Sequence, residues 1–231
     1  MVNARRERYR EETRDEAKRI ALAQLAEHGP EGVSVNAIAK RMGVTGPALY
    51  RYFKGRDDLL TELVRDAWHD LADAAEASVA ASEGLESADR TRALGEAFRT
   101  WAITQPHRYL LLLGTPLPGY HAPTDTIAAA HRTMSALLRV LPPNGDGPVE
   151  STLDGQLRAW ARSRGEGDLP PAVLLTGVRA FTRLHGVLSL EVSGQFGPMG
   201  IDPALLYRAE VESLILGDSG TRGSTRLSGP G

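Results

Sequence analysis

The sequence predicts an all-α fold, with a small three-helix domain at the N-terminus and a larger helical body after it. Three observations carry that expectation. Apolar residues recur at helical spacing in almost every segment, as in Leu59, Leu60, Leu63, Val64, Ala67, Trp68 and Leu71. No run of useful length alternates with period two, so no sheet is expected. Proline- and glycine-rich breaks such as Gly29-Pro30, GTPLPGYHAPT, PPNGDGP, GEGDLPP and GQFGPMGIDP punctuate the chain at intervals suited to helices.

Taken in order, the first helix is expected over about 13–28, with Ala17, Ile20, Ala21 and Leu25 on one face and Gly29-Pro30 as its stop. Two short helices follow over about 34–42 and 45–52. A long one begins near Arg56 and runs through LLTELVRDAWHDLADAAEASVAA. After the SEGLESADR break a helix covers about 90–105. Pro106 then starts a short apolar helix, since proline suits a first turn. Further helices are expected over 124–141, about 149–163, 171–193 and about 203–216. Residues 218–231, DSGTRGSTRLSGPG, have no apolar content to bury and are expected to be disordered. No internal repeat is visible.

The stretch VSVNAIAKRMGVTGPALYRYFKGRDDLL carries the chemistry. Ser34 and Thr45 are each placed to N-cap a helix, because a hydroxyl can satisfy an orphan amide of the first turn. Gly43 can turn left-handed without steric cost. Ala39, Gly43 and Leu49 supply the small, glycine and large-apolar positions of two closely crossing helices. That is a helix-turn-helix, whose second helix enters the major groove of DNA. Leu49 and Phe53, at i and i+4, must face the core. Gly46, Pro47, Tyr50 and Arg51 are thereby rotated outward. Tyr50 and Tyr52 can donate hydroxyls to phosphates, Lys54 and Arg56 can reach the backbone past the helix end, and Ser34 offers a hydroxyl and a helix-end amide. Tyr52 has an alternative place in the core. In the first turn, Thr45, Gly46, Pro47 and Ala48 provide one side-chain donor only. The Thr45 methyl, Pro47 and Ala48 can pack on thymine methyls, and Arg51 or Arg41 can pair with guanine. Specificity is expected from few direct contacts plus DNA shape.

From about Ala17 through ALAQLAEHGPEGVSV to LYRYFKGRDDLL, these residues resemble the DNA-binding domain of the TetR family of bacterial transcriptional regulators. The capped helix, the aromatic L-Y-x-Y-F run and the basic turn occur in order near the N-terminus. WAITQPHRYLLLL resembles the family's helix-Pro-x-x-Tyr step. FTRLHGVLSLEVSGQF resembles the penultimate helix of a subgroup with an Arg-Leu-His-Gly-type motif. The resemblance assigns Tyr50, Tyr52, Lys54 and Arg56 to phosphates. It implies a homodimer through a four-helix contact of about 171–193 and 203–216, and two heads on a pseudo-palindromic operator with half-sites about one turn apart or slightly more. It also implies a repressor whose body binds a small molecule, which favours a wider spacing of the heads and lowers operator affinity. An orphan or activating regulator is an alternative, as is a helical small-molecule-binding dimer lacking DNA affinity.

The expected domains are 1–56, with a basic extension over about 1–12, then 57–217 and the tail. Charge agrees with that division. The chain's 231 residues have a net charge of −2, yet residues 1–56 carry 12 Lys or Arg against 7 Asp or Glu, while 57–231 carry 15 against 22. A basic head on an acidic body suits a phosphate-binding domain joined to one that does not bind DNA. Arg5, Arg6, Arg8 and Arg10 form either a flexible minor-groove arm or a solvated helix face shared with Glu7, Glu11 and Glu12. Arginine outnumbers lysine 24 to 3, a bias suggesting a GC-rich, actinobacterial-type genome.

Cysteine is absent, which excludes disulfides and thiolate metal sites. No segment reads as membrane-spanning and the charged start MVNARRERYREE is unlike a signal, so a cytoplasmic protein without membrane contact is expected. No pair of histidines has metal-ligand spacing, and HExxH, P-loop and GxSxG patterns are missing. Neither an enzyme nor a cofactor is therefore expected. Trp101, Tyr109, Tyr120, His131, Trp160, Phe181 and His185 are the candidates for lining a pocket, each lying in an apolar helix or beside the proline-rich loop. Aromatics at helical spacing also serve as core. An apolar or mixed effector fits better than an anion, because the region has no basic cluster. Glu191, placed toward the dimer contact, would need a partner.

Overall fold

The computed structural model describes residues 2–114, 124–141, 151–167 and 169–216. Among these the chain forms ten α-helices and no strand: α1 (Val2–His28), α2 (Val35–Arg41), α3 (Gly46–Leu49), α4 (Arg56–Ala81), α5 (Ser87–Thr104), α6 (Pro106–Leu113), α7 (Thr124–Val140), α8 (Ser151–Arg164), α9 (Pro171–Val192) and α10 (Pro203–Leu216). The all-α expectation holds. The tail at 218–231 lies outside the described residues, as does Tyr120.

The largest departure is at the start, where α1 begins at Val2 rather than near residue 13. ARRERYREE holds only good or fair helix formers and no breaker, so nothing stops the helix from propagating. The Thr13 hydroxyl donates back to the Tyr9 carbonyl at 2.7 Å, as threonine does inside helices. Arg5, Arg6, Arg8 and Arg10 are therefore exposed on a helix and are not a flexible arm.

The chain divides into two compact units, Met1–Asp70 with Thr104–Ala129, and Leu71–Ile103 with Ala130–Gly231. This differs from a boundary at 56/57, and the core of the first unit explains why. Ile20, Ala21 and Leu25 of α1 and Ile38 and Ala39 of α2 close around Leu49 and Phe53, and Leu59, Leu60 and Leu63 of α4 complete the same cluster. Each fully buried leucine contributes about 1.5–3 kcal/mol, so the start of α4 belongs to the head energetically. Leu111 of α6 packs on this cluster too. Tyr109 is completely buried, and burial pushes its phenol above the usual tyrosine range.

In the second unit Ala75, Leu94, Ala136 and Val140 form one cluster, and Leu138, Leu157, Ala161 and Leu174 another. Some buried polar groups are paired there, while Arg90 Nε and Thr133 Oγ1 are buried without a hydrogen-bond partner. The Tyr207 hydroxyl donates to the Gly95 carbonyl at 2.9 Å, joining α10 to α5, and Thr91 Oγ1 donates to the Val140 carbonyl at 3.0 Å. Glu191 is committed inside its own chain, where it accepts from Arg99 Nε at 3.1 Å and Nη2 at 2.5 Å. It does not need a partner from a second copy.

Candidate nucleic-acid interface

Local chemistry shapes the second and third helices. Ser34 caps α2 in an extended conformation, and its Oγ accepts from the Ala37 N–H at 3.3 Å. Its own N–H donates to Gln24 Oε1 of α1 at 3.0 Å, so that amide is already engaged. At the other end of α2, Gly43 takes φ +70°. Its N–H bonds the Lys40 carbonyl at 3.2 Å while Val44 N–H bonds Ala39 at 3.0 Å, the paired bonds of a Schellman turn. The chain is thereby swung into α3. A Cβ on Gly46 would stand 2.9 Å from Asn36 Oδ1, so glycine permits the close approach of α3 to α2.

Thr45 occupies the N-cap of α3, but its hydroxyl makes no capping bond. Pro47 removes one first-turn donor, and the Ala48 N–H is already bonded to the Thr45 carbonyl at 3.0 Å. Neither of the two amides that a cap side chain usually serves is left for Thr45. The regular helix also ends at Leu49 rather than near 52. Beyond it the Arg51 N–H reaches Ala48 at 3.4 Å and the Tyr52 N–H reaches Leu49 at 2.9 Å, the tightened i to i−3 pattern of a helix end.

This geometry sorts the expected DNA-contacting residues. Leu49 and Phe53 are fully buried, while Thr45, Pro47, Tyr50, Arg51 and Lys54 are exposed, and Gly46 and Ala48 lie half-exposed between them. Tyr50 presents 45% of its surface to solvent. Ser34 and Arg41 are exposed as well. The Lys54 backbone is pinned, its N–H donating to Asp58 Oδ2 at 2.9 Å, with the side chain left outside.

Two residues of the set sit differently. Tyr52 is half-buried and packs against the head core. Arg56 donates from Nη2 to the Pro30 carbonyl at 2.9 Å and from Nη1 to Asp57 at 3.4 Å, so it ties α4 to the turn between α1 and α2. A residue not singled out from the sequence is Arg14. Its guanidinium lies over the Phe53 ring, pairs with Glu62 and reaches the Tyr52 carbonyl at 3.4 Å. A lone arginine three residues before an apolar stripe carries no pattern that would distinguish it from a solvated one.

Among the described residues, two couples of the pocket candidates are in ring contact. His131 meets Trp160 edge to face at 6.5 Å, and its Nε2 lies 3.0 Å from Glu166, which also takes the Ser135 hydroxyl. Phe181 stacks on His185 at 5.8 Å and 6°, and burial holds the His185 pKa below its ordinary value. Trp101 is buried on α5. Tyr109 belongs to the first unit. Among the described residues, no cluster of three or more His, Asp or Glu could hold a metal ion, and no helix is long and apolar enough to cross a membrane.

Residues 19–63 match the family model described as "Bacterial regulatory proteins, tetR family", and residues 91–214 match "Tetracyclin repressor-like, C-terminal domain". The HTH-type transcriptional regulator Rv1816 of Mycobacterium tuberculosis (strain ATCC 25618 / H37Rv) is 35% identical over 211 residues, covering 87% of this chain and 90% of that one. Among solved structures, SCO4313, named as a regulatory protein, is 43% identical with a TM-score of 0.79, covering 91% of this chain and 98% of its own. The TetR family regulator PfmR from Thermus thermophilus, 20% identical with a TM-score of 0.55 over 88% of this chain and 97% of that one, shares the fold. A helix-turn-helix with an exposed polar face, carried by a chain that matches both domains of one family, has a single consistent meaning: the protein is a DNA-binding transcriptional regulator and belongs to the TetR family.

Proposed function

We propose that the protein is a homodimeric repressor, released from a palindromic operator by a small-molecule ligand of apolar or mixed character, and that it works in the cytoplasm. The observation that carries the DNA half of this reading is the run Thr45, Pro47, Tyr50, Arg51 and Lys54, exposed together while Leu49 and Phe53 anchor the same segment in the core. In this reading Tyr50 and Lys54 bind phosphates, and Ser34 adds its hydroxyl proton. Thr45, Pro47 and Ala48 touch thymine methyls, with Gly46 allowing close approach, and Arg51 or Arg41 pairs with guanine. Tyr52 and Arg56 act mainly by holding the turn in place.

Dimerisation through α9 and α10 is supported by Leu190, Ile201, Leu205 and Leu216, large apolar side chains exposed on or beside those helices. The functional division is a DNA-binding head ending near the start of α4 and a sensing body beyond it. In that body His131 with Trp160 and Phe181 with His185 are the aromatic couples best suited to a mixed ligand, and Trp101 serves as core. A ligand acts only through its differential affinity for the DNA-incompetent state.

The test is binding of the purified protein to its own upstream intergenic DNA, with footprinting, a salt titration and light scattering. The expected result is protection of a palindrome by a dimer, with log affinity falling steeply against log salt. Sequence-blind binding, or a strict monomer at micromolar concentration, overturns the reading.

A further inference from the structure

The basic residues before the head core form a surface of their own. At 100° per residue, Arg5, Arg6, Tyr9 and Arg10 share one side of α1, where they line an open groove. Glu7 and Glu11 fall on the opposite side, with Glu12 at the margin. Arg5, Arg6 and Arg10 are exposed and form no ion pair among the described residues, although Arg14, Lys18 and Arg19 further along the same helix are all paired. Tyr9 between them is 66% exposed. An acid-free face of three unpaired guanidinium groups around a tyrosine hydroxyl suits a row of phosphates, which guanidinium binds through paired donors.

The position of this face follows from Arg14. Its guanidinium reaches the Tyr52 carbonyl, two residues before Lys54, so α1 leaves the head beside the end of the recognition segment. From Arg14 back to Arg5 the helix extends about 13 Å, at 1.5 Å per residue. That length matches about four base steps. The extension continues without a break from α1, so it presents its arginines pre-ordered, without the entropy cost of ordering a flexible arm.

We infer that the first turns of α1 are a second DNA-binding surface, which clamps the phosphate backbone just outside each half-site through Arg5, Arg6 and Arg10. This rests on the operator-binding reading of the head. It lengthens the footprint and strengthens binding without adding base specificity, because phosphate contacts carry no sequence information.

The experiment uses the full-length protein, the triple variant Arg5→Ala/Arg6→Ala/Arg10→Ala, and the same triple change to lysine. Each is titrated at several salt concentrations against two duplexes. The short one is the segment that the alanine variant protects in upstream DNA, and the long one adds a helical turn of flanking sequence on each side. The wild type is expected to bind the long duplex at least several-fold tighter than the short one. Its salt slope should be steeper by up to about 5 on the long duplex, since a dimer brings six such arginines at about 0.9 per phosphate. The alanine variant should bind both duplexes alike, and the lysine variant should recover most of the slope. Equal slopes for wild type and alanine variant on the long duplex, with Lys54→Ala still weakening both, overturn the clamp and leave the head reading intact. A loss by the alanine variant on the short duplex as well places these arginines inside the operator and also overturns it. Absence of operator binding by every protein, wild type included, defeats the head reading itself.

Discussion

The Arg14 guanidinium lies over the face of Phe53, 5.1 Å from the ring centroid. Phe53 is the buried residue that ends the recognition segment, and Arg14 also pairs with Glu62 of α4. One side chain therefore links α1, the end of the DNA-reading segment and α4, while Leu49 and Phe53 fix the rotation of Tyr50 and Arg51. The four-residue α3 is too short to hold its own orientation by helical cooperativity. Its geometry is borrowed from this packing.

Replacing Arg14 by alanine should cost about 1–2 kcal/mol, the combined scale of a cation-over-ring contact and a partly exposed ion pair. Urea unfolding should show this as a lower midpoint with an unchanged slope. Operator affinity should fall too, although Arg14 is not placed against a base. Retained stability and affinity in Arg14→Ala would show that the contact contributes nothing.

Tyr50→Phe and Lys54→Ala should weaken binding to every DNA sequence by similar factors, and Lys54→Ala should reduce the salt slope by about 1 per protomer. Arg51→Ala has a different signature. As a base reader it loses about 1–3 kcal/mol on the operator and relaxes one base position. Competition binding against a panel of single-base operator variants separates the two behaviours, and a uniform loss for Arg51→Ala reassigns it to phosphate.

His185, stacked on Phe181, has its pKa held below 6.5 by burial. A histidine with a depressed folded pKa is neutral in the folded protein while the unfolded chain still binds a proton. Its contribution to stability is thus complete above the unfolded value of about 6.5 and is lost as pH falls toward the folded pKa. Urea midpoints measured from about pH 7.5 to about pH 5 should decline, and less so in His185→Gln. Parallel curves for the two proteins would remove His185 as the cause.

Helix number, type and most boundaries were legible because the signals are local: apolar spacing, Gly29-Pro30, Pro106, and Ser34 as a cap. What failed to show was set by contacts across the chain. The place of Leu59, Leu60 and Leu63 in the head core and the packing of Leu111 there depend on three-dimensional neighbours. Thr45 looks like a capping residue, and only the missing donor at Pro47 with the bond from Ala48 to its own carbonyl removes the need for one. Tyr52 and Arg56 carry the residue types of phosphate ligands, and their packing on the core and bond to the Pro30 carbonyl depend on neighbours the sequence does not show. The helical start of α1 at Val2 was missed, although the composition of the extension permits it. Its alternating charges read equally as a flexible minor-groove arm or as a solvated helix face, and the backbone is helical.

The dimer contact gives the last prediction. Leu190 on α9 and Leu205 on α10 are 47% and 61% exposed, and Ile201 and Leu216 are exposed with them. Such side chains scattered singly would need no explanation. Here they gather on or just beside the two helices that the four-helix reading places at the contact, and Gly186, with nothing within 4 Å of a Cβ built on it, leaves room on α9 for close approach. Burying a leucine contributes about 1.5–3 kcal/mol, and each residue is used twice in a two-fold contact. Leu205→Glu should therefore weaken dimerisation by two or more decades and bring carboxylates of both copies into an apolar contact. Light scattering at micromolar concentration should report a monomer with an unchanged helical circular dichroism signal. Operator binding should fall with it, since one head makes too few contacts alone. A dimeric Leu205→Glu protein would move the contact away from α10.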